Sequence, residues 1–142
     1  MKVTKSATAQ WQGGLKDGKG TITTESGALS AQPYGFNTRF EGVKGTNPEE
    51  LLGAAHAGCF TMALSLILGE SGHKADQLET TAKVTLEQVA GGFEITAVHL
   101  TLKGKVPGMD ADAFKAAAEK AKTGCPLSKV LRAPITMEAS LG

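Results

Sequence analysis

One stretch dominates the folding problem: from Leu51 to Gly69 the chain carries no charged side chain. Such a run is long enough to cross a bilayer. Its flanks argue against that use, because Glu49, Glu50 and Glu70 stand where anchoring Lys or Arg is expected, and His56, several Ala and three Gly lie inside it. The segment reads instead as a buried central helix with no membrane partner. Its start is written in Asn47-Pro48-Glu49-Glu50, with Asn47 at N-cap, Pro48 at N1 and Glu50 at N3, where a carboxylate can reach back to the cap backbone. Its end is expected at Gly69 or Gly72. Apolar residues fall on nearly every face, so the helix must be covered on all sides, by sheets or by a second subunit.

The flanking segments supply those sheets. Val3 to Trp11 and Gly20 to Thr24 alternate around Gly13-Gly14 and predict a hairpin. Glu25 to Asn47 reads as a long loop, too rich in aromatics (Tyr34, Phe36, Phe40) to be an inert linker. Leu78 to Val89 and Phe93 to Lys105 predict a second hairpin across Ala90-Gly91-Gly92, with Val84, Leu86, Ile95, Val98, Leu100 and Leu102 turned inward. Asp110 to Lys122 is an amphipathic helix with Phe114, Ala117, Ala118 and Ala121 on one stripe, closed by Thr123-Gly124. A short helix from Cys125-Pro126 through Leu131 and a strand over Pro134 to Ala139 complete an α+β order, ββ–α–ββ–α–α–β. At 142 residues the chain is the size of a single domain, 1–142.

Charge narrows the function classes. Fifteen basic against fourteen acidic side chains leave +1, with no basic stripe and no GXXG clamp, so nucleic acid is disfavoured. The 18 glycines form neither GxGxxG nor a phosphate loop, so no nucleotide cofactor is expected. His56, His73 and His99 are scattered and lack zinc-ligand spacing, so no metal is expected either. No secretion signal follows Met1-Lys2-Val3-Thr4, and two cysteines without a CxxC spacing point to a reducing, cytoplasmic compartment.

There a cysteine pair is more often catalytic or redox-sensing than structural. Cys125, between Gly124 and Pro126, falls at a helix N-cap, where free N–H groups and the dipole favour the thiolate; helix logic alone makes it the nucleophile. Cys59 lies mid-helix, where it reads first as plain core and where burial raises a thiol pKa, so its activation requires a cation brought from elsewhere. Arg39 is the choice over Lys44, because a guanidinium stays charged when partly desolvated. Of the acids able to hold it, Glu49 lies roughly 80° around and about 15 Å along the helix from Cys59, whereas Glu50 is about 180° away. Glu49 then meets Cys59 only through a bridging side chain. Each acid has a structural reading as well, as a dipole carboxylate and a cap. His56, one turn before Cys59, admits a Cys–His pair but fits better as a packed or interface residue.

The strings QPYGFNTRF from Gln32 to Phe40, NPEELLGAAHAGCFTMAL from Asn47 to Leu64 and AKTGCPLSKVL from Ala121 to Leu131 resemble the OsmC/Ohr hydroperoxide peroxidase family, in its osmotically inducible protein C branch. The resemblance extends over essentially the whole chain. It implies antiparallel sheets around two main helices in an intertwined homodimer with two sites at the subunit interface. It further implies a thiol peroxidase of stress defence, acting on organic hydroperoxides and less efficiently on hydrogen peroxide, with a lipoyl-type dithiol as reductant. Carried over by position, Cys59 is the peroxidatic cysteine, Cys125 the resolving one, Arg39 the thiolate-stabilising cation and Glu49 the carboxylate that orients it. The resemblance thus overrules the helix-dipole choice of Cys125. Tyr34, Phe36, Phe40 and Met62 are candidates for an apolar pocket favouring alkyl hydroperoxides, or simply for packing. The rival reading is a dithiol sensor or binding module whose disulfide is a switch without useful turnover.

Overall fold

A computed structural model describes all 142 residues, which fold as two compact units, Met1–Leu51 and Leu52–Gly142.

In the first unit, strands β1 (Ala7–Gln12), β2 (Lys19–Thr24) and β3 (Gln32–Tyr34) form an antiparallel sheet in chain order. Every residue of β1 is exposed. The expected long loop is therefore partly structured: β3 adds an edge to the first hairpin, and Phe36–Phe40 form a short helix, α1. Side-chain bonds invisible to periodicity stabilise this segment. Thr38 Oγ accepts from the Gly35 N–H (2.9 Å) and donates to the Thr46 carbonyl (2.8 Å), while Thr46 Oγ donates to the Pro33 carbonyl (2.8 Å).

Helix α2 (Pro48–Glu70) begins in this unit and ends between the two glycines expected to close it. Asn47 caps it by accepting the Glu50 N–H at 2.8 Å. The Glu50 carboxylate bonds to the Asn47 side-chain amide rather than to the cap backbone, so the reciprocal half of the expected box is replaced by a side-chain pair.

The second unit holds the rest of α2, a mixed sheet of β4 (Gln77–Val89), β5 (Gly92–Lys105) and β6 (Ile135–Leu141), and helices α3 (Ala111–Gly124) and α4 (Pro126–Val130). β4 and β5 pair antiparallel across a tight turn in which Gly91 takes φ +97°, a conformation that favours glycine. The terminal strand β6 instead runs parallel to β5. The inward set contains both Ile95 and Val98, which an unbroken strand would turn to opposite faces. A β-bulge resolves this: Thr85 pairs with Ala97 but Leu86 with Ile95, so Thr96 is the extra residue and both apolar side chains fall on the face of Val84 and Leu86.

Phe60, Leu64 and Leu68 of α2 pack with Val98, Leu100 and Leu102 of β5 and with Phe114, Ala117, Ala118 and Ala121 of α3. The α3 stripe is the one its sequence predicts, and Asp110 caps it by accepting the Ala113 N–H at 2.8 Å. Gly104 lets β5 approach α3, since a Cβ there would sit 2.5 Å from Phe114 Cζ. By length and hydropathy α2 also qualifies as a membrane span, yet its inner stripe (Gly53, His56, Phe60, Leu64, Leu68) is buried within the protein.

Candidate active site

Both cysteines are free thiols and belong to the second unit. Their exposures reverse the order that helix electrostatics suggests. Cys125 is fully buried, whereas Cys59 on α2 is half-buried. The N-cap placement of Cys125 is as read from sequence: its sulfur accepts the Ser128 N–H of the first turn of α4 at 3.4 Å. That same turn also lies beside the other cysteine, where the Leu127 backbone N–H and the Cys125 side chain act on the Cys59 thiol. The start of α4 thus joins two sulfurs that lie far apart in sequence.

Burial pushes the Cys59 thiol above its ordinary pKa; the Leu127 N–H pulls it back down, and the neighbouring Cys125 pushes it up again. Within this unit nothing supplies Cys59 with a positive charge, so burial prevails. That is the condition under which a thiolate needs a cation from another source.

The first unit contains a fixed cation. Arg39 on α1 donates from Nε to Glu49 Oε1 and from Nη2 to Glu49 Oε2, both at 2.9 Å, a bidentate fork against the first turn of α2. Its charge is secured chiefly by the hydrogen bond to Glu49, which raises the guanidinium pKa against a partial lowering by burial. The arginine also lies over the Phe40 ring, 5.4 Å from the centroid, and Phe40 tilts against Phe36 at 4.9 Å. The structure therefore makes the Arg39–Glu49 pair expected from sequence, and gives Glu50 to the cap.

His56 is a packed residue, as its sequence position favours, and not half of a Cys–His pair: fully buried, its Nε2 lies 2.8 Å from Ser128 Oγ, which is 3.1 Å from Cys125 Sγ. Burial lowers its pKa, which favours the neutral ring. Sequence reasoning missed Ser128 altogether. The available signal was its position at N3 of the helix capped by Cys125, the place where a cap side chain finds its partner.

No cluster of three or more His, Cys, Asp or Glu residues forms a metal-binding group. His73 bonds instead to Ser71, and His99 to Thr136 and Glu138. The aromatic candidates divide: Tyr34 packs edge-on against Trp11 at 5.5 Å, Phe36 and Phe40 form the pair beside Arg39, and Met62 is 77% exposed on α2.

The family described as OsmC-like protein matches residues 41–140. Peroxiredoxin OsmC of Escherichia coli (strain K12) is 57% identical over 141 residues, 99% of each chain. The organic hydroperoxide resistance protein OhrB of Bacillus subtilis (strain 168) is 30% identical over 123 residues, 86% of this chain and 88% of its own. Among solved structures, an organic hydroperoxide resistance protein from Elizabethkingia anophelis superposes with a TM-score of 0.70 at 27% identity, covering 100% of this chain and 99% of its own. Sequence likeness along almost the full chain and the same α+β architecture in a solved relative make this protein a member of the OsmC-like family.

Proposed function

We propose that this chain is a cysteine-based peroxidase that reduces organic hydroperoxides, and less efficiently hydrogen peroxide, to alcohols or water in oxidative and osmotic stress defence. The observation that carries the reading is the pair of free thiols joined through the first turn of α4, one half-buried and one fully buried. The half-buried Cys59 thiolate attacks the terminal peroxide oxygen; the O–O bond breaks, the alkoxide takes a proton and leaves as alcohol, and Cys59 is left as a sulfenic acid. Cys125, sheltered from peroxide, condenses with it to a Cys59–Cys125 disulfide, releasing water. A dithiol of lipoyl type then restores both thiols by exchange.

Arg39, oriented by Glu49, supplies the positive charge that stabilises the Cys59 thiolate, and no metal or organic cofactor takes part. Phe36, Phe40, Tyr34 and Met62 contribute apolar surface that favours alkyl over hydrogen peroxide. The chain acts as one functional domain over residues 1–142 in the cytoplasm, without nucleic acid or membrane. Its working form is an intertwined homodimer. Ala54, Ala55, Gly58, Met62, Leu66 and Gly69 recur at helical spacing along the exposed face of α2, with Leu66 64% exposed, and β1 is exposed throughout. Small and apolar side chains in such a stripe suit burial against a second copy.

Stopped-flow consumption of tert-butyl hydroperoxide and hydrogen peroxide, with dihydrolipoamide as donor, tests the reading. Turnover of the alkyl peroxide should be rapid in wild type and absent in Cys59→Ser. Cys125→Ser should complete one oxidation, fail to turn over with dithiol and leave Cys59 open to overoxidation. Equal residual turnover in both variants would remove these roles, and slow stoichiometric oxidation without recycling would make the protein a redox switch.

A further inference from the structure

The chain of contacts His56 Nε2, Ser128 Oγ, Cys125 Sγ is buried at every step, and none of the chemistry above uses its first two members. Its polarity follows from the other ring nitrogen. His56 Nδ1 is buried without a partner. An orphaned N–H is the rarer and costlier arrangement in protein interiors, while a bare acceptor nitrogen is better tolerated. We therefore assign the ring proton to Nε2, donated to Ser128 Oγ, an assignment that leaves the serine hydroxyl hydrogen free to point at Cys125 Sγ. The Ser128 backbone N–H already points at the same sulfur, at 3.4 Å. Cys125 Sγ is then held by two donors from one residue, and its own S–H is left to face the Cys59 side chain.

We propose that Ser128 is a catalytic residue for the resolving step and that His56 is the positioning residue that aims its hydroxyl. This rests on the peroxidase reading, in which Cys125 must attack a sulfenic acid on Cys59. In that step the Cys125 proton passes to the sulfenic hydroxyl oxygen, the S–O bond on Cys59 breaks, the Cys125–Cys59 S–S bond forms and water leaves. The Cys59 sulfur is reduced and the Cys125 sulfur oxidised by the same amount. Negative charge grows on Cys125 Sγ as its proton departs, and two hydrogen bonds that strengthen with that charge stabilise the transition state. In a buried pocket water cannot replace them. His56 acts here only as a neutral donor and takes up no proton.

The test is rapid acid quench with mass spectrometry after mixing reduced protein with one equivalent of tert-butyl hydroperoxide. It separates sulfenic acid formation, second order in peroxide and protein, from the unimolecular formation of disulfide. Ser128→Ala should slow disulfide formation about tenfold or more, the range expected for losing a hydrogen bond to a charged atom, while oxidation of Cys59 keeps its wild-type rate constant. Ser128→Thr retains a hydroxyl and should restore resolution. His56→Gln retains an N–H donor and should resolve faster than His56→Leu. Disulfide formation in Ser128→Ala at the wild-type rate, or an equal loss in both phases, would overturn the role of Ser128. His56→Gln no better than His56→Leu would overturn the positioning role. A wild type that forms no Cys59–Cys125 disulfide would instead sink the peroxidase reading itself, an outcome separate from these.

Discussion

Replacing Glu49 by Gln removes the anion from the Arg39 fork while changing almost nothing in shape. The amide oxygen can still accept one guanidinium N–H, but its NH2 faces the second donor, so one of two 2.9 Å bonds is lost together with the charge attraction. Hydrogen bonds to charged groups net about 1.5–3 kcal/mol, and breaking a fully buried ion pair costs about 3–5 kcal/mol. Neither limit applies directly, since the Glu49 side chain is 13% exposed but Arg39 is 35% exposed, and solvent screens the pair. We therefore expect a loss of about 1–2 kcal/mol and a Tm lower by about 3–8 °C. Chemical denaturation of wild type, Glu49→Gln, Arg39→Gln and the double variant forms a cycle whose coupling should match that loss. The catalytic consequence is read from kcat/KM for tert-butyl hydroperoxide. If the fork aims the charge that activates Cys59, releasing about 1.4 kcal/mol of it costs about tenfold in rate. Arg39→Lys keeps the charge but not the fork, and should fall between wild type and Arg39→Gln. A coupling below about 0.3 kcal/mol with kcat/KM within about twofold of wild type would refute the reasoning.

Other predictions concern titration and packing. The Cys59 thiol is raised by burial and further by Cys125, so the oxidation rate should climb with pH as the thiolate forms; Cys125→Ala should move that climb to lower pH in a stopped-flow pH profile. His56 is buried neutral with a lowered pKa, so the unfolded chain binds its proton more readily than the folded one. Its contribution to stability is present above the unfolded value, about 6.5, and is lost as pH falls through the folded one; denaturation at graded pH should show a weaker acid loss in His56→Gln. Gly104→Ala places a Cβ 2.5 Å from Phe114 Cζ and should destabilise the fold by about 1–3 kcal/mol, measured by thermal unfolding. Unchanged Tm there would mean that β5 and α3 have room the packing does not show.

The sequence by itself determined what is local. The Asn47-Pro48 start of α2, the Asp110 cap, the apolar stripe of α3 and the N-cap position of Cys125 all depend on residues within one or two turns, where spacing alone fixes which groups can meet. The alternation of β4 and β5 was legible too, but not the bulge at Thr96 that reconciles Ile95 with Val98, because a bulge appears only when two strands are in register. The direction of β6 was likewise hidden, since a lone strand does not state whether its neighbour runs with it or against it. At the site, motif resemblance nominated the residues, but the tertiary structure decided their surroundings. Burial of Cys125, partial exposure of Cys59, the approach of the Leu127 N–H to Cys59 and the His56–Ser128 contact join positions up to 72 residues apart in the chain. Helix electrostatics ranked the cysteines by a field acting over one turn. How exposed each sulfur is depends on what the rest of the fold lays over it, and only packing settles that.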